Sequence, residues 1–322
     1  MIYIGEKDLL ELGISWKETI GVIENAVKCI DTGDFAQPIK PYLRYRDRSN
    51  RIIAMPAFVG GKYNVAGIKW IASFPQNIHK NLPRAHSVVI LNDADTGRPV
   101  SIINTALLSI IRTASVTGLM MSYYDKFNTW DDIRLGIVGW GPIGQYHLNM
   151  CTELFGDRIS KIYLYDLKPI NKETIGNAHK DKIHIAKNWQ DAYVDANVFI
   201  TCTVSSSPYI DIQPKKGTLQ LNISLRDYKT DIYDYVKDTI IVDDWDEVCR
   251  EKTDIEMLHI EKGLKREDTK NIIDIVCRNG LNDFTVDQPV MFNPMGMGVF
   301  DIAMGSYYVN KALESRDCRM LE

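Results

Sequence analysis

The sequence predicts an α/β protein. A Rossmann-type doubly wound parallel sheet is expected beside a discontinuous α+β domain made from both ends of the chain. Three observations predict it. Residues 135–144 read Leu-Gly-Ile-Val-Gly-Trp-Gly-Pro-Ile-Gly, an apolar strand running into G-x-G-x-x-G. From Ile133 onward strand and helix patterns alternate, with later strands at 198–202, 219–223 and 239–243. Between Gln37 and Ile103, by contrast, short strands follow one another without helices, which implies an antiparallel or mixed sheet.

Taken in order, residues 8–30 have helical periodicity in two pieces, split near Gly13. Ser15 is expected to cap the second piece, and Glu18, three residues on, to complete a capping box. Strands are expected at 51–55, 65–71, 87–91 and 98–103, with a turn at 92–97. A long helix over 105–126 would bridge two domains. Residues 298–315 read as a final helix returning to the first domain. The expected domains are therefore 1–118 with 297–322, and 119–296.

Composition narrows the function. A net charge of −4 argues against a nucleic-acid partner. No apolar run approaches the roughly 20 residues of a membrane helix, and the first residues lack a signal-peptide pattern, so a cytoplasmic location is expected. The six cysteines are scattered without a C-x-x-C pair, and the histidines lack ligand spacing. Reduced thiols and no metal are expected.

The glycine motif carries the first chemistry. A strand that breaks at glycines and opens a helix presents unpaired N–H groups and a positive dipole end to a pyrophosphate. Gly139, Gly141 and Gly144 hold the three glycine places, with Ile143 among them, and Pro142 suits a first helical position. A second strand ends in Asp166, 22 residues past Gly144, near the spacing of the carboxylate that holds a ribose hydroxyl. An acid there repels a 2′-phosphate, so NAD is favoured over NADP. A chance glycine turn is the plain alternative.

Several charged residues sit where charge is unusual. Lys69 lies inside an apolar strand and either snorkels outward or faces a polar cavity. Arg112 interrupts a helix of small and apolar residues, suited to gripping a carboxylate or to a structural salt bridge. Lys40, Arg44, Arg46, Arg48 and Arg51 crowd one segment, with Arg46 and Arg48 read as solvated. Thr203, Val204 and Ser205 follow a strand where a nicotinamide would pass, although a Ser-rich loop is the bland reading. Asp227 follows the next strand, at a carboxyl edge where a general base would face the cleft; an acid in a loop is otherwise usually solvated.

Together, Lys69, the run Asp95-Thr-Gly-Arg-Pro99, Arg112-Thr-Ala114, the 139–144 loop and Asp227 resemble the ornithine cyclodeaminase/mu-crystallin family, in order and spacing over nearly the whole chain. The resemblance implies an NAD-dependent homodimer with a substrate and dimerisation domain plus a Rossmann domain. It implies that Arg44, Lys69 and Arg112 hold substrate carboxylate, to which the charge of the 37–51 segment adds Lys40 as a candidate. Asp227 would be the acid/base, with Lys69 assisting, and Thr113 would join the cofactor residues.

Stretches such as 37–44, 51–56, 200–204, 242–245 and 293–297 are similar to the siderophore-pathway branch of that family. The segment from Arg44 to Arg51 departs from it by being shorter. That branch implies oxidation of N-(2-amino-2-carboxyethyl)-L-glutamate to 2-oxoglutarate and L-2,3-diaminopropionate. Charge argues the same way. Ornithine carries one carboxylate and two amines, whereas the glutamate adduct carries three carboxylates. A pocket near Lys40, Arg44, Lys69, Arg84 and Arg112 suits the polyanion, because buried charge needs partners. The alternatives are ornithine cyclodeamination, a ketimine- or alanine-dehydrogenase-like reaction, and a nucleotide-dependent carrier without catalysis.

Overall fold

A computed structural model describes residues 1–176, 179–315 and 319–321. The chain forms two compact units, Met1–Thr113 with Gly296–Glu322, and Ala114–Met295.

The first unit opens with β1 (Ile2–Gly5), α1 (Glu6–Leu12) and α2 (Trp16–Asp31). It continues through β2 (Phe35–Ala36), β3 (Tyr42–Leu43), β4 (Arg51–Val59), β5 (Val65–Ser73), β6 (Ala85–Asp93) and β7 (Pro99–Asn104). The helix α3 (Leu107–Asn128) runs past the division at Thr113. It starts two residues later than the sequence suggests; just before it Thr105 Oγ1 accepts the Leu107 N–H, and Ala106 O accepts the first helical bond, from Ile110 N–H.

The second unit contains β8 (Ile133–Val138), α4 (Pro142–Phe155), β9 (Ile159–Tyr165), β10 (Ile183–Ile185), α5 (Trp189–Val194), β11 (Val198–Thr201) and β12 (Leu219–Asn222). It then adds α6 (Tyr233–Val236), β13 (Ile240–Val242), α7 (Trp245–Val248), α8 (Asp254–Lys262), β14 (Lys270–Asn271), α9 (Ile272–Arg278) and β15 (Val290–Asn293). Finally α10 (Gly298–Ser315) and β16 (Arg319–Met320) return to the first unit.

In the first unit the sheet order is β16-β1-β7-β6-β5-β4-β2, with β3 also on β4. The pairs β4–β5, β5–β6 and β6–β7 are antiparallel, whereas β1 lies parallel to β7, so the sheet is mixed. The helix α10 packs on β4, β5, β6 and α2. Val89, Leu91, Ile103, Phe300 and Ile302 are all fully buried. Ser15 does cap α2, but its side chain makes no capping hydrogen bond. The expected capping box is absent because Glu18 instead accepts the Tyr307 hydroxyl at 2.5 Å.

The second sheet has the order β10-β9-β8-β11-β12-β15-β13-β14, and every pair is parallel. Its central strands β8, β11, β12 and β15 are buried on both faces, as helix-covered parallel strands must be. The chain steps outward from β8 in two directions, to β9 on one side and β11 on the other. That is a topological switch point, where the carboxyl ends of the strands leave a crevice. The described residues include no helix long and apolar enough to cross a membrane.

Candidate active site

The 139–144 loop leaves β8 at the switch point, and its three glycines answer three different demands. Gly139 has φ +100°, and a Cβ there would lie 2.5 Å from the Cys202 carbonyl group. Gly144 would place a Cβ 2.1 Å from the Gly139 oxygen, so only glycine lets α4 close on the strand. At Gly141 a Cβ would meet nothing within 4 Å. Packing does not require that glycine; its bare backbone leaves room for the close approach that a pyrophosphate needs in such loops. Pro142 opens α4 as its first residue. Asp166 ties the loop to the end of β9, accepting Trp140 N–H at 2.7 Å and Lys168 N–H at 2.8 Å. Behind the loop, His147 is wholly buried and bridges Ile143 O (2.7 Å) and Thr117 Oγ1 (2.8 Å). Burial lowers its pKa to about 4, so the ring is neutral and donates through Nδ1 to the carbonyl. These residues fit a dinucleotide.

The first unit gathers the expected cations. Lys69 is 2% exposed, on the β5 face covered by α10. Its ammonium lies 3.0 Å from Asp301 Oδ1, and Arg112 Nε lies 3.1 Å from the same oxygen. Lys69 therefore neither snorkels nor stands alone. Lys40 is also buried, donates to Gly296 O at 2.7 Å and acts electrostatically on Lys69. Gly296 has φ +85°, and a Cβ there would lie 2.6 Å from Arg112 Nη1, so the guanidinium rests against bare backbone. Among the described residues of this unit, Asp301 is the one fully buried carboxylate, and its Oδ2 has no hydrogen-bond partner there. Burial alone would raise its pKa, but Arg112 and Lys69 outweigh that and hold it below the ordinary value. Lys69 is lowered to about 8, mainly by burial and further by Arg112, with Asp301 opposing. Two cations on one carboxylate, with a third buried cation acting on Lys69, make a site biased towards anions.

The second unit gathers carboxylates. Asp227 follows β12, and its side chain is 0% exposed rather than open to solvent. Thr203 Oγ1 donates to Oδ1 at 2.5 Å, and Ser224 Oγ donates to Oδ2. Burial raises the Asp227 pKa, and these hydroxyl bonds only partly offset it. Asn222, at the end of β12, accepts from Thr201 Oγ1 (3.2 Å) and Leu225 N–H (3.1 Å) and donates to Asp254 (2.9 Å) and Asn293 (2.8 Å). Asp254 is raised to about 7, chiefly by burial, with its hydrogen bonds opposing.

Lys69 and Arg112 thus share Asp301, with Lys40 buried and acting on Lys69, while Arg44 lies exposed with its guanidinium 5.3 Å from the Tyr42 ring centre. Thr203 meets Asp227, whereas Val204 is largely exposed and Ser205 Oγ turns to Ser207 O. Thr113 Oγ1 bonds back to Ser109 O within its helix. Sequence reasoning missed Asp301. Its signal was present as a single acid in the first turn of an otherwise apolar helical run. Asp254 and Asn222 were missed as well, without any local signal.

The family model "Ornithine cyclodeaminase/mu-crystallin family" matches residues 7–316. The N-((2S)-2-amino-2-carboxyethyl)-L-glutamate dehydrogenase of Staphylococcus aureus is 32% identical, over 97% of this chain and 95% of that protein. The Thermococcus litoralis Delta(1)-pyrroline-2-carboxylate reductase, solved with NADH and L-proline, superposes with a TM-score of 0.87 at 22% identity, covering 100% of both chains. An archaeal alanine dehydrogenase dimer with bound NAD gives a TM-score of 0.82 at 21% identity, covering 100% of this chain and 99% of that one.

Proposed function

Since the chain belongs to the ornithine cyclodeaminase/mu-crystallin family, we propose that it is an NAD-dependent amino-acid dehydrogenase. The substrate we propose is N-(2-amino-2-carboxyethyl)-L-glutamate, converted with water to 2-oxoglutarate and L-2,3-diaminopropionate for a siderophore or related product. One observation carries the substrate choice: Lys69 and Arg112 are buried on a single carboxylate, and a third buried cation, Lys40, acts on Lys69 from Gly296 O. A diamine such as ornithine calls for acids at its second ammonium, whereas a tricarboxylate calls for this excess of cations. The S. aureus relative's name supports the same choice.

The cofactor is NAD; Gly139, Gly141, Pro142, Ile143, Gly144 and Asp166 would hold it, and Thr203, Val204 and Ser205 would serve its nicotinamide end. When bound, it supplies the two-electron acceptor. Lys69 and Arg112 neutralise substrate carboxylates and orient the α-carbon, a positioning effect. Asp227 takes the proton lost from the substrate amine and releases it to solvent, then takes one from the water that adds to the resulting imine and returns it to the amine nitrogen as diaminopropionate leaves. Because Asp227 is wholly buried, the Thr203 and Ser224 hydroxyls pass protons to it. Burial raises its proton affinity above that of an ordinary carboxylate, which suits a base. The active species is a homodimer, which light scattering on the purified protein checks.

The test is NADH formation from NAD+ and the glutamate adduct, with L-ornithine in parallel and products read by mass spectrometry. Net NADH with 2-oxoglutarate and diaminopropionate, and nothing from ornithine, is the expected result. Proline and ammonia from ornithine without NADH accumulation would overturn it in favour of cyclodeamination.

A further inference from the structure

The group around Asp227 holds a second buried carboxylate that the proposed reaction leaves unused. Asp254 is the first residue of α8 and 3% exposed. Capping of α8 does not occupy it, since Thr253 Oγ1 accepts the Glu256 N–H. Its Oδ2 instead reaches a turn more than twenty residues upstream. There it accepts the Asp227 N–H at 3.1 Å, the Tyr228 N–H at 3.3 Å and Asn222 Nδ2 at 2.9 Å. The Asp254 backbone grips the same turn, donating its N–H to Leu225 O at 2.7 Å. Leu225 needs that grip, because its φ is +62°, a region that leucine rarely occupies. Amide, carboxylate and Asn222 together fix the backbone from Leu225 to Tyr228, and so fix the direction in which the Asp227 side chain leaves it.

Two alternatives are weaker on the same observations. A carboxylate serving only α8 would bond its own first-turn amides. A buried carboxylate serving only packing has no need of two consecutive amides flanking one side chain. We propose that Asp254 is a positioning residue for Asp227, holding the 224–228 turn so that the Asp227 carboxylate meets the Thr203 and Ser224 hydroxyls. This rests on the reading of Asp227 as the proton acceptor.

The experiment compares Asp254→Ala and Asp254→Asn in the full chain. The first readout needs neither cofactor nor substrate. Amide hydrogen exchange at Asp227 and Tyr228 should speed up at least about tenfold in Asp254→Ala and by less than about threefold in Asp254→Asn, which keeps an acceptor oxygen in place. The second readout is kinetic. Asp254→Ala should lose at least about tenfold in kcat, with KM for NAD+ and substrate within about twofold, and Asp254→Asn should recover most of it. Unchanged exchange at both amides, normal kcat in Asp254→Ala, or an Asn variant no better than Ala would each overturn the proposal. If the Ala variant does not fold, Asp254→Glu carries the test, because its extra methylene displaces the acceptor. Reduced kcat with unchanged KM then supports the proposal, and normal kcat overturns it. Asp227→Asn separates the two readings. If that variant turns over normally, Asp227 is not the base, while the exchange result still judges the grip of Asp254 on the turn. If it is slow while Asp254→Ala is normal, only the positioning fails.

Discussion

Lys69 and Arg112 are buried against a charge, whereas Asp227 and Asp254 are buried against dipoles. In the first unit two cations converge on one oxygen of Asp301, with Lys40 close by. In the second, the hydrogen bonds to the two carboxylates come from hydroxyls, a carboxamide and backbone amides. The physical consequences diverge. A cation cluster with a shared counter-ion remains positive and attracts further anion. Carboxylates satisfied by neutral donors keep their hydrogen bonds but gain little against desolvation, so their proton affinity rises. One group is held in its charged form and the other has its proton affinity raised.

The largest effect should come from removing the counter-ion. Asp301→Asn leaves Lys69 and Arg112 facing a neutral amide, and should cost about 3–5 kcal/mol of stability in a denaturant titration. A loss under about 1 kcal/mol would mean that the cations do not depend on Asp301. Asp227→Asn should spare stability and lower kcat at least about a hundredfold, with substrate still binding. Near-normal turnover would remove Asp227 from the chemistry. Arg112→Ala should raise the substrate KM about tenfold to a hundredfold, the range of a lost charged hydrogen bond, while NAD+ affinity stays. Collapse of NAD+ affinity would instead assign Arg112 to the cofactor.

The smallest effect is a change of shape in the pH profile. Lys69 must stay protonated to hold an anion, and its pKa of about 8 should place the alkaline limb of kcat/KM there. Asp227 must be ionised to accept a proton, so the acid limb should lie above the ordinary carboxylate value. Lys69→Arg should move the alkaline limb up and leave the acid limb in place. An alkaline limb that stays near 8 in that variant would belong to another group.

Much of this was legible in the sequence because it is local. The glycine spacing, the strand before it and Asp166 after it obey backbone sterics and hydrogen bonding within about thirty residues, and the observed loop follows them. The final helix, over 298–315, was readable from its own periodicity. Lys69 and Arg112 stood out because charge is rare in apolar runs. Their partner did not, since Asp301 lies 232 and 189 residues away from them and only the packing of α10 on β5 brings it there. Ser15 and Glu18 show the same limit at short range, where a tyrosine from α10 outcompetes the local cap. Sequence by itself determined the longer helices and several of the strands, the phosphate-type loop and which side chains carry unusual charge, because periodicity and glycine geometry act between neighbours. Tertiary structure alone decided which charges meet and how each is balanced, because that depends on what a distant element places against a buried group.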